Sequence, residues 1–275
     1  MIHPGSIVVG ADGSHHADRA VRWAAEQANL EHRPLTVVAV GQDAPTIAEG
    51  AAALARRMSQ SLSVQPLCRD GDPGEVLLEM AEDAYLVVLG SRGRGTLKSM
   101  LLGSVSSAVS ARAACAVVVC RPVADHVPTH GIVVGADGTQ ESLPAIEFAY
   151  RQAALRQLPL TVLHSFWDAA VAVAQYRQAA GLTVTEPELE DLRALLSASV
   201  SGLAETYPDA QVTFELKHGF VDQALAPRGR SWDLIVVGRR PIPTSAKLLS
   251  ESISHAVLER ARTTVAVVPA AVRQA

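Results

Sequence analysis

The residues best equipped for chemistry crowd into positions 89 to 105, LGSRGRGTLKSMLLGSV. Four glycines, four serines or threonines and three basic residues share these seventeen positions, directly after the apolar run Leu86-Val87-Val88. A glycine loop leaving a buried strand lets a visitor approach the backbone closely, and the hydroxyl and cationic groups beside it point to a phosphate. Two common phosphate motifs fail on spacing. The form GxxxxGK[ST] runs from Gly90 to Gly95 but then meets Thr96 and Leu97 where lysine and a hydroxyl residue are required. The dinucleotide form GxGxxG meets Lys98 at its third glycine, which argues against NAD.

A different spacing remains: Gly90, two residues, Gly93, nine residues, then Gly103-Ser104. A chain that turns at Gly90 and Gly93 and returns at Gly103 can bring two sets of backbone N–H groups to one anion. Gly103 and Ser104 would then open a helix whose first N–H groups and dipole favour phosphate. The hydroxyls of Ser104 and Ser106 would add donors at the same place. The plainer alternative is that Ser104 caps its helix and the glycines only turn the chain.

These residues need elements to hold them. Ile7-Val8-Val9 reads as a short strand, and Ala17, Ala20, Val21, Ala24, Ala25 and Ala28 follow at helical spacing. Strands are predicted over 35–40, 64–68, 86–89 and 116–120, and helices over about 46–60, 74–84 and 104–112. Alternating strands and helices, with strands apolar on both faces, imply an α/β fold with a parallel sheet covered on each side. Ligands of such sheets bind beyond the carboxyl ends of the strands, where GADGS and GSRGRG both lie.

The pattern occurs twice. SIVVGADGSHHADRAVRWAAEQA returns as GIVVGADGTQESLPAIEFAYRQA, matching Asp12 to Asp137, and LVVLGSRG returns as LIVVGRRP. The chain therefore divides into copies at 1–124 and 129–275, joined near RPVADHVPTHG, with an insertion around 166–205 in the second.

Composition narrows the function. The chain has 275 residues, is 48% apolar and 19% charged, and has a formal net charge of −4, so it lacks the basic footprint of a nucleic-acid binder. No apolar run approaches the ~20 residues of a membrane span, and MIHPGSIVVG does not read as a signal peptide. A cytoplasmic protein with neither membrane nor nucleic-acid partner is expected. Cys68, Cys115 and Cys120 lack CxxC spacing and read as small buried residues. No HxxxH or HExxH occurs, so no metal site is expected.

The signature at Gly90, Gly93, Gly103 and Ser104, with IVVGADGS, LTVVAV, GDPGEVLLEMAEDA and LLGSVSSAV around it, resembles the ATP-binding branch of the universal stress protein family over nearly the whole chain. The resemblance implies two tandem flavodoxin-like, adenine nucleotide α-hydrolase-like domains, each a five-stranded parallel sheet with helices on both faces. It also implies dimeric pairing, either as a homodimer or between the two copies of one chain. Carried onto this sequence, it places Asp12, beside Gly10 and Ala11, against the adenosine and Val40 beside adenine. The loop Leu89, Gly90, Ser91, Arg92, Gly93, Arg94 and Gly95, with Gly103, Ser104, Val105 and Ser106, would wrap ribose and phosphates. Read from the residues alone, without the resemblance, Asp12 reads better as an Asx turn before the first helix. Arg92, Arg94 and Lys98 would screen phosphate charge or be ordinary loop cations.

The second copy departs from this pattern. Gly238 survives, but Pro241 and Glu251 replace the second and third glycines, and Ser165 stands where Val40 did. Proline removes a donor, and a carboxylate at the helix start opposes phosphate. ATP is therefore expected in the first copy only, with Mg²⁺ arriving on the nucleotide and cyclic AMP as a rival ligand. Asp70-Gly71-Asp72 reads as a turn with a capping Asp, and no catalytic base is evident. The expected function is nucleotide-dependent regulation of a stress response. A slow ATPase or phosphoryl- or nucleotidyl-transfer enzyme is one alternative, and a partner-recruiting role for the insertion is another.

Overall fold

Ile7–Gly10 (β1) is buried on both faces of the sheet, and the chain then turns into the helix His15–Leu30 (α1). Two short-range bonds set that turn. The Ser14 N–H donates to Asp12 Oδ1 at 3.0 Å, and Ser14 Oγ, the N-cap, accepts from the Ala17 N–H at 3.2 Å. The alanine stripe of α1 is buried, and small side chains let the helix lie close on the sheet. In the computed structural model, the residues described are 2–93, 102–122, 129–166, 194, 196–197, 200–227, 232–240 and 253–270.

The first copy continues with Leu35–Val40 (β2), Ala44–Met58 (α2), Val64–Arg69 (β3), Pro73–Met80 (α3), Leu86–Gly90 (β4), Ser104–Arg112 (α4) and Ala116–Cys120 (β5). The second comprises Ile132–Gly135 (β6), Leu143–Arg156 (α5), Leu160–Phe166 (β7), Ser201–Thr206 (α6), Val212–His218 (β8), Val221–Leu225 (α7), Leu234–Arg239 (β9), Ile253–Arg260 (α8) and Val265–Pro269 (β10). Helix α3 ends four residues short of the expectation. Beyond Met80 the chain turns so that the Asp83 carbonyl accepts from Gly5 N–H and the Tyr85 N–H donates to Ser6 O. Helix α2 starts two residues early, with a proline in its first turn.

The strands form one sheet in the order β3-β2-β1-β4-β5-β10-β9-β6-β7-β8. Within each copy all five strands are parallel, and the seam between copies is an antiparallel pairing of β5 with β10, Val119 opposite Val265 and Val117 opposite Val267. Two apolar layers run through the seam. One lies against α1, α2 and α5 and includes Val118 and Ala266; the other includes Val117, Val119, Leu77, Val109, Leu258 and Trp232. Polar contacts cross it as well. The Arg156 guanidinium of α5 donates to Glu26 and, at 2.8 Å, to Gln27 Oε1 of α1, and lies 5.1 Å from the Trp23 ring centre. The two copies are thus joined through β5 and β10 into one sheet within the chain.

Most of the 166–205 insertion and the joining residues 123–128 lie outside the described residues. Leu196 and Val200 are described and are buried in the sheet's apolar layer, the role of covering the sheet. Cys115 and Cys120 are buried and burial pushes both thiols up, Cys115 to about 12. Cys68 corrects the expectation: it is exposed, because β3 is an edge strand. No described helix is long and apolar enough to cross a membrane.

Candidate functional site

The carboxyl ends of β1 and β4 open onto a cavity of about 520 Å³, within the range of small-molecule sites. It is lined by Gly10, Ala11 and Asp12 after β1, Val38 and Val40 of β2, Leu89, Gly90, Arg92 and Gly93 after β4, and Gly103 to Ser106 at the start of α4. Of the residues singled out in the sequence, Ser91 alone among those described lies outside the lining. It is buried, and its N–H donates to Cys120 O at 3.0 Å, tying the loop to β5. Arg94, Gly95 and Lys98 lie outside the described residues.

Close approach explains two glycines. A β-carbon on Gly90 would lie 2.7 Å from the His16 carbonyl group, so the start of α1 could not sit where it does. One on Gly93 would lie 2.7 Å from Asp12 Oδ2. The loop does return: the Gly103 N–H donates to Ser91 O at 2.8 Å, and a β-carbon there would face Arg92 Cα at 3.5 Å.

Two details of the expected cradle change. The Gly103 N–H is spent on Ser91 and is not offered to a ligand. Ser106 Oγ donates to Gly90 O at 2.6 Å, bracing α4 against the end of β4 instead of adding a donor to the cavity. The N-cap of α4 is Gly103, and Ser104 is its first helical residue. The N–H groups of Ser104, Val105 and Ser106 have no carbonyl one helical turn earlier to receive them. They supply the partial positive charge of the helix start.

Electrostatics divides the cavity. Asp12 forms the Asx turn anticipated from the residues alone, with Oδ1 accepting from Ser14 and Oδ2 turned toward Gly93. Across the mouth, Arg92 Nε is buried without a hydrogen-bond partner among the described residues, a donor suited to an anion. Burial, then the Arg19 and Arg92 charges, hold the His16 imidazole below its ordinary value. Burial pulls Arg121 down to about 10, and Arg92 acts in the same direction. One end of the cavity therefore carries a fixed carboxylate, and the other carries helix N–H groups and a guanidinium.

Ala17, Val38, Pro73 and Leu77 also line the cavity and were not singled out. Val38 was within reach, since it lies two residues before Val40 on the same strand face. Leu77 arrives through α3, whose N-cap Asp72 accepts from Gly74 and Glu75 N–H at 2.9 and 3.0 Å, the capping role expected of it. Among the described residues no group of three or more His, Cys, Asp or Glu is placed to hold a metal.

The second copy puts the corresponding strand ends on the opposite margin of the sheet, because the seam is antiparallel. There Arg240, the counterpart of Arg92, bonds Asp137, the counterpart of Asp12, and reaches Glu141 at 3.0 Å and Thr139 Oγ1 at 3.1 Å. Burial pushes Asp137 up, but the Thr139 hydroxyl and N–H and the Arg240 charge outweigh it and hold the carboxyl below its usual range. Ser165 Oγ donates to Gly219 O at 2.6 Å. The two groups that face a cavity in copy one are bonded to each other in copy two. Pro241 and Glu251, on which the sequence argument rested, lie outside the described residues.

Comparison with known proteins adds three findings. The universal stress protein family model matches residues 5–121 and again 129–269. Two universal stress proteins of Mycobacterium tuberculosis are similar, one 31% identical over 291 residues covering 95% of this chain and 96% of the relative, the other 32% identical over 288 residues covering 95% of each. The crystal structure of a universal stress protein from Archaeoglobus fulgidus superposes with a TM-score of 0.67 at 18% identity, covering 98% of this chain and all of the other.

Proposed function

The chain belongs to the universal stress protein family, and on that premise we propose that it is a stress-response regulator that binds an adenine nucleotide, ATP, in its first copy. One observation carries the reading. A single cavity joins a hydrogen-bond acceptor fixed on β1, apolar walls from β2 and α3, and an anion-favouring end made by Arg92 and the start of α4. A ligand with a planar apolar part, hydroxyls and a polyphosphate meets complementary surface along that length.

In this reading Val38, Val40 and Leu77 flank the base, and Asp12 accepts from ribose hydroxyls or the base amino group. The α4 N–H groups and Arg92 hold the phosphates, with Gly90 and Gly93 keeping the backbone near enough. Mg²⁺ comes with the nucleotide, bound through phosphate oxygens. Asp12 is the sole carboxylate among the described lining residues, and it already accepts from Ser14. That favours holding the nucleotide over hydrolysing it, since a positioned base for water is not among them. The second copy, with Asp137 taken up by Arg240, acts as a structural partner.

Titration calorimetry with ATP, adenosine and cyclic AMP, alongside mass spectrometry of small molecules released from the denatured protein, tests this. The expected result is one ATP per chain, bound more tightly than adenosine or cyclic AMP. Two equivalent sites would overturn the assignment of the second copy, and absence of any adenine-nucleotide binding would overturn the whole reading.

A further inference from the structure

The helix that meets the phosphates in the proposed reading is held at its other end by the second copy. Helix α4 is nine residues long, and its terminal carbonyls lack partners of their own helix. Its own last-turn cation, Arg112, is committed elsewhere, to Glu75 at 2.8 Å. Arg239 fills the gap from across the seam. Its Nη1 donates to Ser110 O at 2.9 Å and its Nη2 donates to Ala113 O. Arg239 occupies the place that Ser91 holds in the first copy, so the residue is particular to the second. The reverse contact exists too: Arg121, at the end of β5, donates to Leu258 O in the last turn of α8.

We propose that Arg239 is a positioning residue for the phosphate end of the first copy's cavity, acting through α4. The proposal rests on the nucleotide reading above. Two points hold α4 in place. Near its start Ser106 Oγ is bonded to Gly90 O, and at its end Ser110 O and Ala113 O are bonded to one planar guanidinium. A fork that grips two carbonyls fixes the helix direction, and with it the aim of the Ser104, Val105 and Ser106 N–H groups, roughly one to two and a half turns away along α4. Arg239 is half-buried and burial draws its proton affinity down, yet the end of a helix dipole is a favourable place for its charge. The degenerate copy thereby contributes to a site it does not touch.

The test compares binding of ATP and adenosine to the intact chain and to Arg239→Ala, with thermal melts to verify folding. Losing the grip should weaken ATP about tenfold while leaving adenosine within about twofold, because in the reading above the α4 N–H groups meet the phosphates, which adenosine lacks. Arg239→Lys, which keeps the cation but not the fork, should fall between. Where Arg239→Ala does not fold, Arg239→Gln serves, with the same expected split. An unchanged ratio of ATP to adenosine affinity in the neutral variants would overturn the proposal, as would equal weakening of both ligands, which marks general destabilisation. If the unaltered chain itself fails to bind ATP, the nucleotide reading is what falls.

Discussion

A side chain on Gly103 meets only ordinary contacts, 3.5 Å from Arg92 Cα and 3.6 Å from Ser91 O, and its φ of −76° is open to any residue. Gly103→Glu should therefore fold with little change in melting temperature, yet place a carboxylate at the mouth of the cavity beside the phosphates. Calorimetry should find ATP weakened by more than about tenfold, roughly 1.4 kcal/mol, with adenosine far less affected. Asp137 makes a prediction of the opposite kind, about pH. Its carboxyl titrates below its ordinary value in the folded chain, so its contribution is present above that value and lost as pH falls through the lower, folded one. Asp137→Asn should lower stability near neutral pH and flatten the acid limb of a denaturation-versus-pH curve below about pH 4. At this scale the sequence was informative where a residue type has one use, as with Asp72 the cap and Gly90 the close approach. It was silent where a partner comes from far along the chain. Arg240 closing on Asp137 could not be read from VGRRP, since the contact depends on how the β9 and β6 ends converge.

Among the elements, α3 links a local cap to the cavity wall. Its eight residues begin at Pro73, which lines the cavity, and the Asp72 carboxylate holds the first turn. Asp72→Ala should cost about 1 kcal/mol in chemical denaturation. Because Leu77 follows one turn later, the loss should also loosen binding of adenosine and ATP alike, by a few-fold, which separates it from the phosphate-selective change at Gly103. Most element positions were legible because apolar period and length agree: α4 and β5 fall at 104–112 and 116–120 as read. The end of α3 was not. GEVLLEMAEDA keeps helical spacing past Met80, and tertiary bonds from Gly5 and to Ser6 overrule it. The brace made by Ser106, whose hydroxyl turns from the first turn of α4 back to Gly90 O at the end of β4, escaped for the same reason.

For the whole molecule, the duplication was plain in the text and the seam was not. Nothing in AVVVC or VAVVP distinguishes a strand paired on both sides by its own copy from one that meets the other copy. Val117, Val118 and Val119 are fully buried by β10 and the helices around it. A chain ending at residue 124 would leave the β5 edge unpaired, with an apolar row ready to pair again. Light scattering should find that fragment dimeric or larger, while the full chain runs as a monomer; a monodisperse monomeric fragment would show that β10 is dispensable. Joining the two halves in one chain has a consequence for assembly. Pairing two separate copies through β5 would obey mass action and come apart on dilution, whereas here each half always has its partner at an effective concentration set by the tether. The pairing is therefore always between unlike halves. Under the proposed reading, in which the second copy holds no nucleotide, every molecule still pairs one binding half with one that serves as its support.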